Sequence, residues 1–432
     1  MAQSAIASKL EQFGLEAVPK ELRSTSWFDY FIIQFSFSVN AGNFLLPALA
    51  VMEGGLSFFQ AVLCTVIGAS LAFFFVSLLS LPGSVHGIPA QYAIRSFIGT
   101  KGARFFSSPV RTITSLYWFC VQTIGGTLMI IEICRRYFQI ELEFAPLAML
   151  LGTGMAAIAA AGFDAVKKIT KYFLPFLLAG QGVIFYLYFT TRSAPPSASN
   201  MPIDSNSALL TMALYASLVF VQYISGVSAS ADMARYAKSP KHGFFGLYAG
   251  NLFGFFLTAC FGAYSAFYYN QLNPFISAST LTDSIPVVMV ILLCSILSMF
   301  SINLNNAYTG AFSLLNIFPA LGRLKSAAVF GIAAICLSTI PAFVTEASYF
   351  ISLMGSAIIP LSAVIVVEFV MNHFKTAQIS SKQINGRAAV AIICGICIYF
   401  IIPDRFSPGF FTFIFSGLLC LILIKTEKSH HD

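Results

Sequence analysis

The chain has 432 residues, of which 57% are hydrophobic and only 9% charged, with a formal net charge of +7. Soluble domains carry roughly 25% charged residues, so this composition excludes disorder, a coiled coil, a nucleic-acid-binding domain and an ordinary cytosolic enzyme. At about 20 apolar residues per spanning helix, the length accommodates about a dozen spans and leaves no room for a separate water-soluble domain, which predicts an all-α polytopic membrane protein.

Residues 1–26 are amphipathic and charged, and they lack the early apolar stretch and small-residue cleavage site of a secretory signal. Apolar runs punctuated by charge, Gly and Pro then predict twelve spans. The first, 27–51, carries Gln34, Asn40 and Asn43 and is interrupted at Ser36–Asn43, with Pro47 beyond. The second covers 57–82. The third, 112–133, places Trp118 and Gln122 four residues apart and so on one helix face. The fourth and fifth are 145–163 and 170–191. The sixth, 207–229, contains Gln222 and runs into a second interruption of small polar residues, Tyr223–Ala231. Asn251 lies in the seventh, 243–269. The eighth, 284–317, holds Asn303, Asn305 and Asn306 and is too long for one plain span, so part of it is expected outside the hydrocarbon. The remaining four are 324–343, 346–371, 387–403 and 406–424, with a short tail at 425–432.

Lys and Arg mark cytoplasmic connections. With the N-terminus inside, 20 of the 24 basic residues fall in inside segments, including Arg95, Lys101, Arg104 and Arg111 between spans two and three; Arg135, Arg136, Arg192 and Arg405 fall outside. This bias predicts an integral plasma (inner) membrane protein with both termini cytoplasmic. The nine cysteines sit in apolar runs, and the Cys394-x-x-Cys397 pair has no partner cluster nearby, so they read as buried inert thiols.

Polar groups at bilayer depth are costly and mark function by default. Asp and Glu fall near span ends (Asp29, Glu53, Glu132, Glu346, Glu368), so the interior groups are amides and hydroxyls. Such a set suits a neutral polar ligand, although buried amides also serve as interhelical ties. Small polar residues and Gly weaken a helix in mid-span, and backbone groups freed at that depth are tolerated where they line a cavity. Paired interruptions at corresponding positions of two halves point to a transporter binding site. Spans one and six correspond if spans 27–191 and 207–371 are two five-helix repeats, which an odd helix number makes inverted, with 387–424 as two added helices. Trp118 beside an amide suits a flat heterocycle, by stacking and a hydrogen-bonded edge; it also suits ordinary packing.

Four stretches resemble the nucleobase–cation symport family, closest to its cytosine permease branch. They are His86–Gln91 with Arg95-Ser96-Phe97 and Gly99–Gly102; Ser225–Tyr236; Asn303–Tyr308 through Asn316-Ile317; and Ser356–Pro360 with Glu368 and Met371. The resemblance spans roughly residues 20–425 and implies a twelve-helix, 5+5 inverted-repeat transporter with broken helices one and six. It implies that Trp118 stacks on the ligand ring and Gln122 bonds its edge. Ser225 and Gly226 would offer backbone groups, Asn303 and Asn306 would bond from helix eight, and Asn40 and Asn43 would contribute from helix one. A sodium ion is the expected coupling ion, held by helix-one carbonyls and by Ser301 with Ser298, since oxygen ligation suits a hard cation; a proton is the alternative. The expected partners are a small neutral heterocycle and the lipid bilayer, with no organic cofactor and no nucleic acid. The sequence carries no signal of oligomeric state.

Cation symport of a nucleobase-like ring by alternating access is therefore the leading reading. An ion-independent facilitator and a transporter-like nutrient sensor share its sequence features. An intramembrane enzyme needs a nucleophile–base pair or metal ligands at depth, whereas His86, His242, His373, His430 and His431 all fall in predicted loops or the tail. A channel wants a continuous polar lining or charged rings, and here the polar groups cluster at one depth.

Overall fold

The computed structural model describes residues 13–191, 205–372, 383–403 and 406–429. Residues 1–12, the basic residues Lys9, Arg192, Lys375, Lys382 and Arg405, and His373, His430 and His431 lie outside the described residues. Within them every extended element is a helix, and the only pairing outside helices is one isolated bridge between Thr25 and Ala237.

The first predicted run forms two helices, α1 (Trp27–Ser38) and α2 (Ala41–Met52), which meet at 53°. Ser26 and Asp29 cap α1 reciprocally, each accepting from the other's backbone N–H. Then follow α3 (Phe58–Leu78), the short α4 (Leu81–His86) and α5 (Ala90–Ile98). Span three is α6 (Ser108–Ile133), followed by α7 (Phe144–Ala160) and α8 (Phe163–Thr190). The sixth run is α9 (Ser205–Ile224), a 3₁₀ turn at Ser225–Ser228 and α10 (Ser230–Ala234). The second half continues with α11 (Pro240–Tyr269), the short α12 (Pro274–Ser279), α13 (Ile285–Ile317) and α14 (Gly322–Leu337). The chain closes with α15 (Ala347–Met371), α16 (Gly386–Ile401) and α17 (Pro408–Ser429).

Nine helices among the described residues are long and apolar enough to span a membrane, and the bent α1–α2 pair makes a tenth. The shorter apolar helices α7 and α16 occupy the fourth and eleventh predicted runs. The long eighth run is one continuous helix of 33 residues. At about 1.5 Å per residue it exceeds a hydrocarbon core of roughly 30 Å, as its length implied.

The helices sort into two groups. In one, α11 packs along α1, α2 and α3, and α3 packs on α9; in the other, α13 packs on α6, α7 and α8, and α14 packs on α7 and α13. A stripe of glycines at four-residue intervals lets α11 lie close against the broken first span. A Cβ at Gly250 would lie 2.6 Å from the Phe31 carbonyl oxygen, and one at Gly254 would lie 2.6 Å from Ser38 Cβ. The short helices α5 and α12 follow the second span of each half, at corresponding places of an inverted repeat. Of the broken spans, α1–α2 packs in the first group and also touches α6, α8 and α13 of the second.

Candidate functional site

The break in span one is held open by side chains. Asn40 caps α2, accepting the Asn43 N–H at 3.1 Å, while its Nδ2 donates to the Phe37 carbonyl at 2.6 Å. Asn43 Nδ2 donates to the Ser38 carbonyl at 2.7 Å. These amides satisfy carbonyls that the missing helical turn releases. Gln122 of α6 then locks onto the break: its Nε2 donates to Asn40 Oδ1 at 2.7 Å, and the Gly42 N–H donates to its Oε1 at 3.2 Å. A Cβ at Gly42 would strike the Gln122 amide, so only glycine admits this contact.

The break in span six is stabilised in the same manner. The Ser225 carbonyl accepts from Ser228 Oγ at 2.8 Å, and the Ser228 carbonyl accepts from Gln91 Nε2 of α5 at 3.0 Å. Tyr30 of α1 donates to the Met233 carbonyl at 2.8 Å, tying one broken span to the other.

A cavity of about 130 Å³ lies where these breaks meet α6 and α13. Pockets for drug-sized ligands run about 300–1,000 Å³, so this one suits a single small ring. Six of the eight predicted ligand residues line it: Trp118, Gln122, Asn43, Ser225, Gly226 and Asn306. Asn40 and Asn303 do not. Asn40 is committed to the α2 cap, and Asn303 ties α13 to α6 by donating to the Phe119 carbonyl at 3.1 Å and to Thr123 Oγ1 at 3.0 Å. Asn303 in turn accepts from Asn306 Nδ2 at 3.1 Å, and so positions a residue that does reach the cavity.

Of the two serines expected near a cation, neither lines the cavity. Ser298 donates to the Ser295 carbonyl of its own helix at 2.7 Å, whereas the Ser301 hydroxyl is buried without a hydrogen-bond partner. Ser36 on α1, which packs against α13, carries a second buried hydroxyl without one. Orphaned oxygens of this kind fit a hard cation's need for oxygen ligands.

One correction concerns charge. The cavity is not lined by neutral groups alone, because Arg111, assigned from sequence to a cytoplasmic loop, lies inside α6 and lines it. The helix begins four residues earlier than the apolar run suggested. Spacings of seven and four residues then set Arg111, Trp118 and Gln122 on one face, a pattern visible in the sequence once the start is moved. Arg111 Nη2 donates to Thr309 Oγ1 at 2.8 Å, and Nη1 lies 3.5 Å from the Ser225 carbonyl. Tyr223, also missed, lines the cavity with a hydroxyl that has no partner.

A second charged group escaped the census of span interiors. Asp232 on α10 is fully buried and accepts the Ala90 N–H, at the start of α5, at 2.7 Å. From α5 a polar chain runs to the end of α13: Ser108 donates to Gln91 at 3.0 Å, Asn316 donates to Ser108 at 2.9 Å, and Arg95 Nε donates to Asn316 at 3.1 Å. The loop between spans two and three thus bolts the second break to α6 and α13.

Two packed helix groups with unwound segments of two spans meeting at a cavity that bears several amides define a membrane transporter of the broken-helix, inverted-repeat class. Solved structures share this fold. Mhp1, a nucleobase-cation-symport-1 family transporter, in a closed conformation with bromovinylhydantoin bound, matches with a TM-score of 0.78 at 17% identity, covering 95% of this chain and 94% of that one. Mhp1 in its inward-facing conformation matches at 0.75 and 16%, covering 96% of each. A Na+-coupled sialic acid symporter in a substrate-bound outward-open state matches at 0.65 and 14%, covering 93% and 90%. An uncharacterized permease of Schizosaccharomyces pombe is 28% identical over 197 residues, which span 43% of this chain and 30% of that protein's length. The chain belongs to the family of permeases for cytosine/purines, uracil, thiamine and allantoin, whose sequence pattern it matches over residues 17–421. It is an integral membrane transporter of that family.

Proposed function

We propose that this chain is a secondary active transporter that imports a neutral nucleobase or related small heterocycle by sodium symport and alternating access. The observation that carries the reading is the single-ring cavity at the meeting of both breaks, with Trp118 on one wall and the amides of Gln122, Asn43 and Asn306 around it. Trp118 supplies a stacking face. Gln122 reads less of the ring than its position suggests, since both its polar atoms already engage span one; it transmits occupancy of the cavity to the break. The two repeats, 27–191 and 207–371, each contribute helices to both packed groups, and the helix bundle rocks against its scaffold; the basic bias of the loops supports cytoplasmic termini in a plasma membrane.

Sodium fits the buried, unpartnered Ser301 hydroxyl, with carbonyls freed at the first break as further oxygen ligands. A bound cation there would neutralise the carbonyl ends of α1 and favour the bent state of span one. Proton coupling has a carrier in Asp232, the buried carboxylate at the second break.

Uptake of radiolabelled heterocycles into proteoliposomes tests the reading. An inward sodium gradient should drive accumulation above equilibrium, and Asn306→Ala should abolish it with the protein still in the membrane. Accumulation driven by a pH gradient without sodium would assign the coupling to a proton. Equilibration indifferent to either gradient would make the chain a facilitator, and specific binding without uptake would make it a sensor.

A further inference from the structure

The starts of α1, α8 and α11 meet at one face of the helix bundle. Lys167 Nζ of α8 donates to Thr25 Oγ1 at 3.3 Å, and the Lys238 N–H, just before α11, donates to the Thr25 carbonyl at 2.9 Å. The first turn of α1 lies close against α11, where a Cβ at Gly246 would stand 2.5 Å from the Trp27 carbonyl oxygen. Residues 25–30, 163–172 and 237–246 carry five lysines (Lys167, Lys168, Lys171, Lys238 and Lys241) and two acids, Asp29 and Asp164; five less two leaves a net charge of +3. Asp29 is shared: it lies 3.5 Å from Lys167 and also pairs with Lys171, whose side chain stays 41% exposed. Lys168, Lys238 and Lys241 are exposed, and no ion pair among the described residues includes them. Trp27 and Phe28 on the first turn of α1 are also exposed. The bias of basic residues toward one membrane face accounts for the sign of these charges. It does not account for their convergence, since loop lysines satisfy it wherever they stand, and these come from two helices that meet at one residue.

We propose that this patch is a binding site for the phosphodiester headgroup of an anionic phospholipid, with Lys168, Lys238 and Lys241 as its free arms and the acyl chains along Trp27 and Phe28. Aromatic rings of this placement sit at headgroup level. Lysines beside them lay their stems on apolar surface and hold their ammonium groups at the phosphate, and clustered basic residues at a membrane face attract anionic headgroups. A zwitterionic headgroup brings its own cation into the patch and gains less. Lys171 belongs to the patch and also pairs with Asp29, so the bound lipid rests on the joint between the broken first span and α8. The inference goes beyond the transport reading and holds whatever ring the cavity takes.

The test uses Trp27 as reporter. In a full-length Trp118→Phe protein it is the sole indole. Nanodiscs of phosphatidylcholine that contain a minor fraction of bromine-labelled lipid then show which lipid lies against it. Labelled phosphatidylglycerol should quench Trp27 at a roughly tenfold lower mole fraction than labelled phosphatidylcholine, the order expected of three lysines at about fivefold each, reduced by salt screening. Neutralising the free arms together, Lys168→Gln, Lys238→Gln and Lys241→Gln, should bring the two lipids to parity. Neutralising three exposed lysines elsewhere on the chain, Lys101→Gln, Lys325→Gln and Lys425→Gln, should leave the preference intact. Equal quenching by both lipids with all lysines present would overturn the inference. So would an equal loss of preference in the second triple variant, which marks an undirected effect of net charge. Inorganic phosphate that abolishes the preference, where sodium chloride of the same ionic strength does not, would assign the patch to a soluble anion and overturn the lipid. Wild-type protein read by native mass spectrometry gives an independent check: it should retain phosphatidylglycerol over phosphatidylcholine by a similar factor, and retention without preference would likewise overturn the proposal.

Discussion

Replacing Asn40 by alanine removes the residue that holds the first break open. Three hydrogen bonds go with it: the cap on the Asn43 N–H, the acceptor for Gln122 Nε2 and the donor to the Phe37 carbonyl. Loss of an N-cap costs about 0.5–2 kcal/mol, and each buried group left unsatisfied costs roughly 1–3 kcal/mol. The three share one site, so they do not add in full, and about 3 kcal/mol is the expected total. Extending the size scaling of thermal unfolding to a chain of this length gives about 1–2 °C per kcal/mol, hence a fall of roughly 3–6 °C in the unfolding temperature of purified protein. Asn40→Ser keeps a short capping hydroxyl and should recover the cap's share, about 1 kcal/mol, without recovering the contact to Gln122. Ligand affinity should fall in both, because Gln122 and Gly42 no longer fix α2 against α6. An Asn40→Ala protein that unfolds at the wild-type temperature would refute the assignment of this residue to the break.

Trp118→Leu should weaken every heterocycle by a similar factor, since stacking on a ring face is worth about 1–3 kcal/mol per base whatever its substituents; equilibrium binding across a panel checks this, and loss confined to one ring would mean an edge contact. Ser301→Ala should raise the sodium concentration for half-maximal uptake by about tenfold, the order expected for losing one charge-assisted oxygen contact, while the unfolding temperature stays put because the hydroxyl has no hydrogen bond to lose. Glu368→Ala removes the buried carboxylate that Arg387 Nε meets at 3.0 Å and the Asn385 amide at 2.8 Å, leaving Arg387 paired with Glu427. Each hydrogen bond to a charged group is worth about 1.5–3 kcal/mol, so this variant should lose thermal stability with ligand selectivity unaltered.

The helices themselves were legible because apolar runs of spanning length admit no other solution in lipid. The breaks were legible because Gly and small polar residues cluster at mid-span in two corresponding runs, and backbone groups freed there are tolerated where they line a cavity. The sequence could not rank the amides within a break. Asn40 and Asn43 sit three residues apart with the same chemistry, and only the bend angle decides that one turns inward as a cap and the other reaches the cavity. Asn303 and Asn306 divide for the same reason, with α6 packed against one and the cavity beside the other. Arg111 was lost to a boundary. Counting it as a loop charge helped the inside–outside bias and hid a cation on the same helix face as Trp118. Asp232 was hidden by its place in a broken span, where the carboxylate is buried by a contact to α5 that no local pattern announces.

Transport turns on a ligand ring stacked on Trp118 between the two breaks. The chain contains two tryptophans, and Trp27, at the start of α1, is 49% exposed and does not line the cavity. A Trp27→Phe protein therefore carries Trp118 as its sole indole, and its fluorescence reports the cavity directly. Titration with a cyclic heterocycle in sodium buffer should give saturable quenching that weakens when potassium replaces sodium and is relieved by an unlabelled competitor. Fluorescence that stays flat across the heterocycle panel, with the protein folded and sodium present, would contradict the claim.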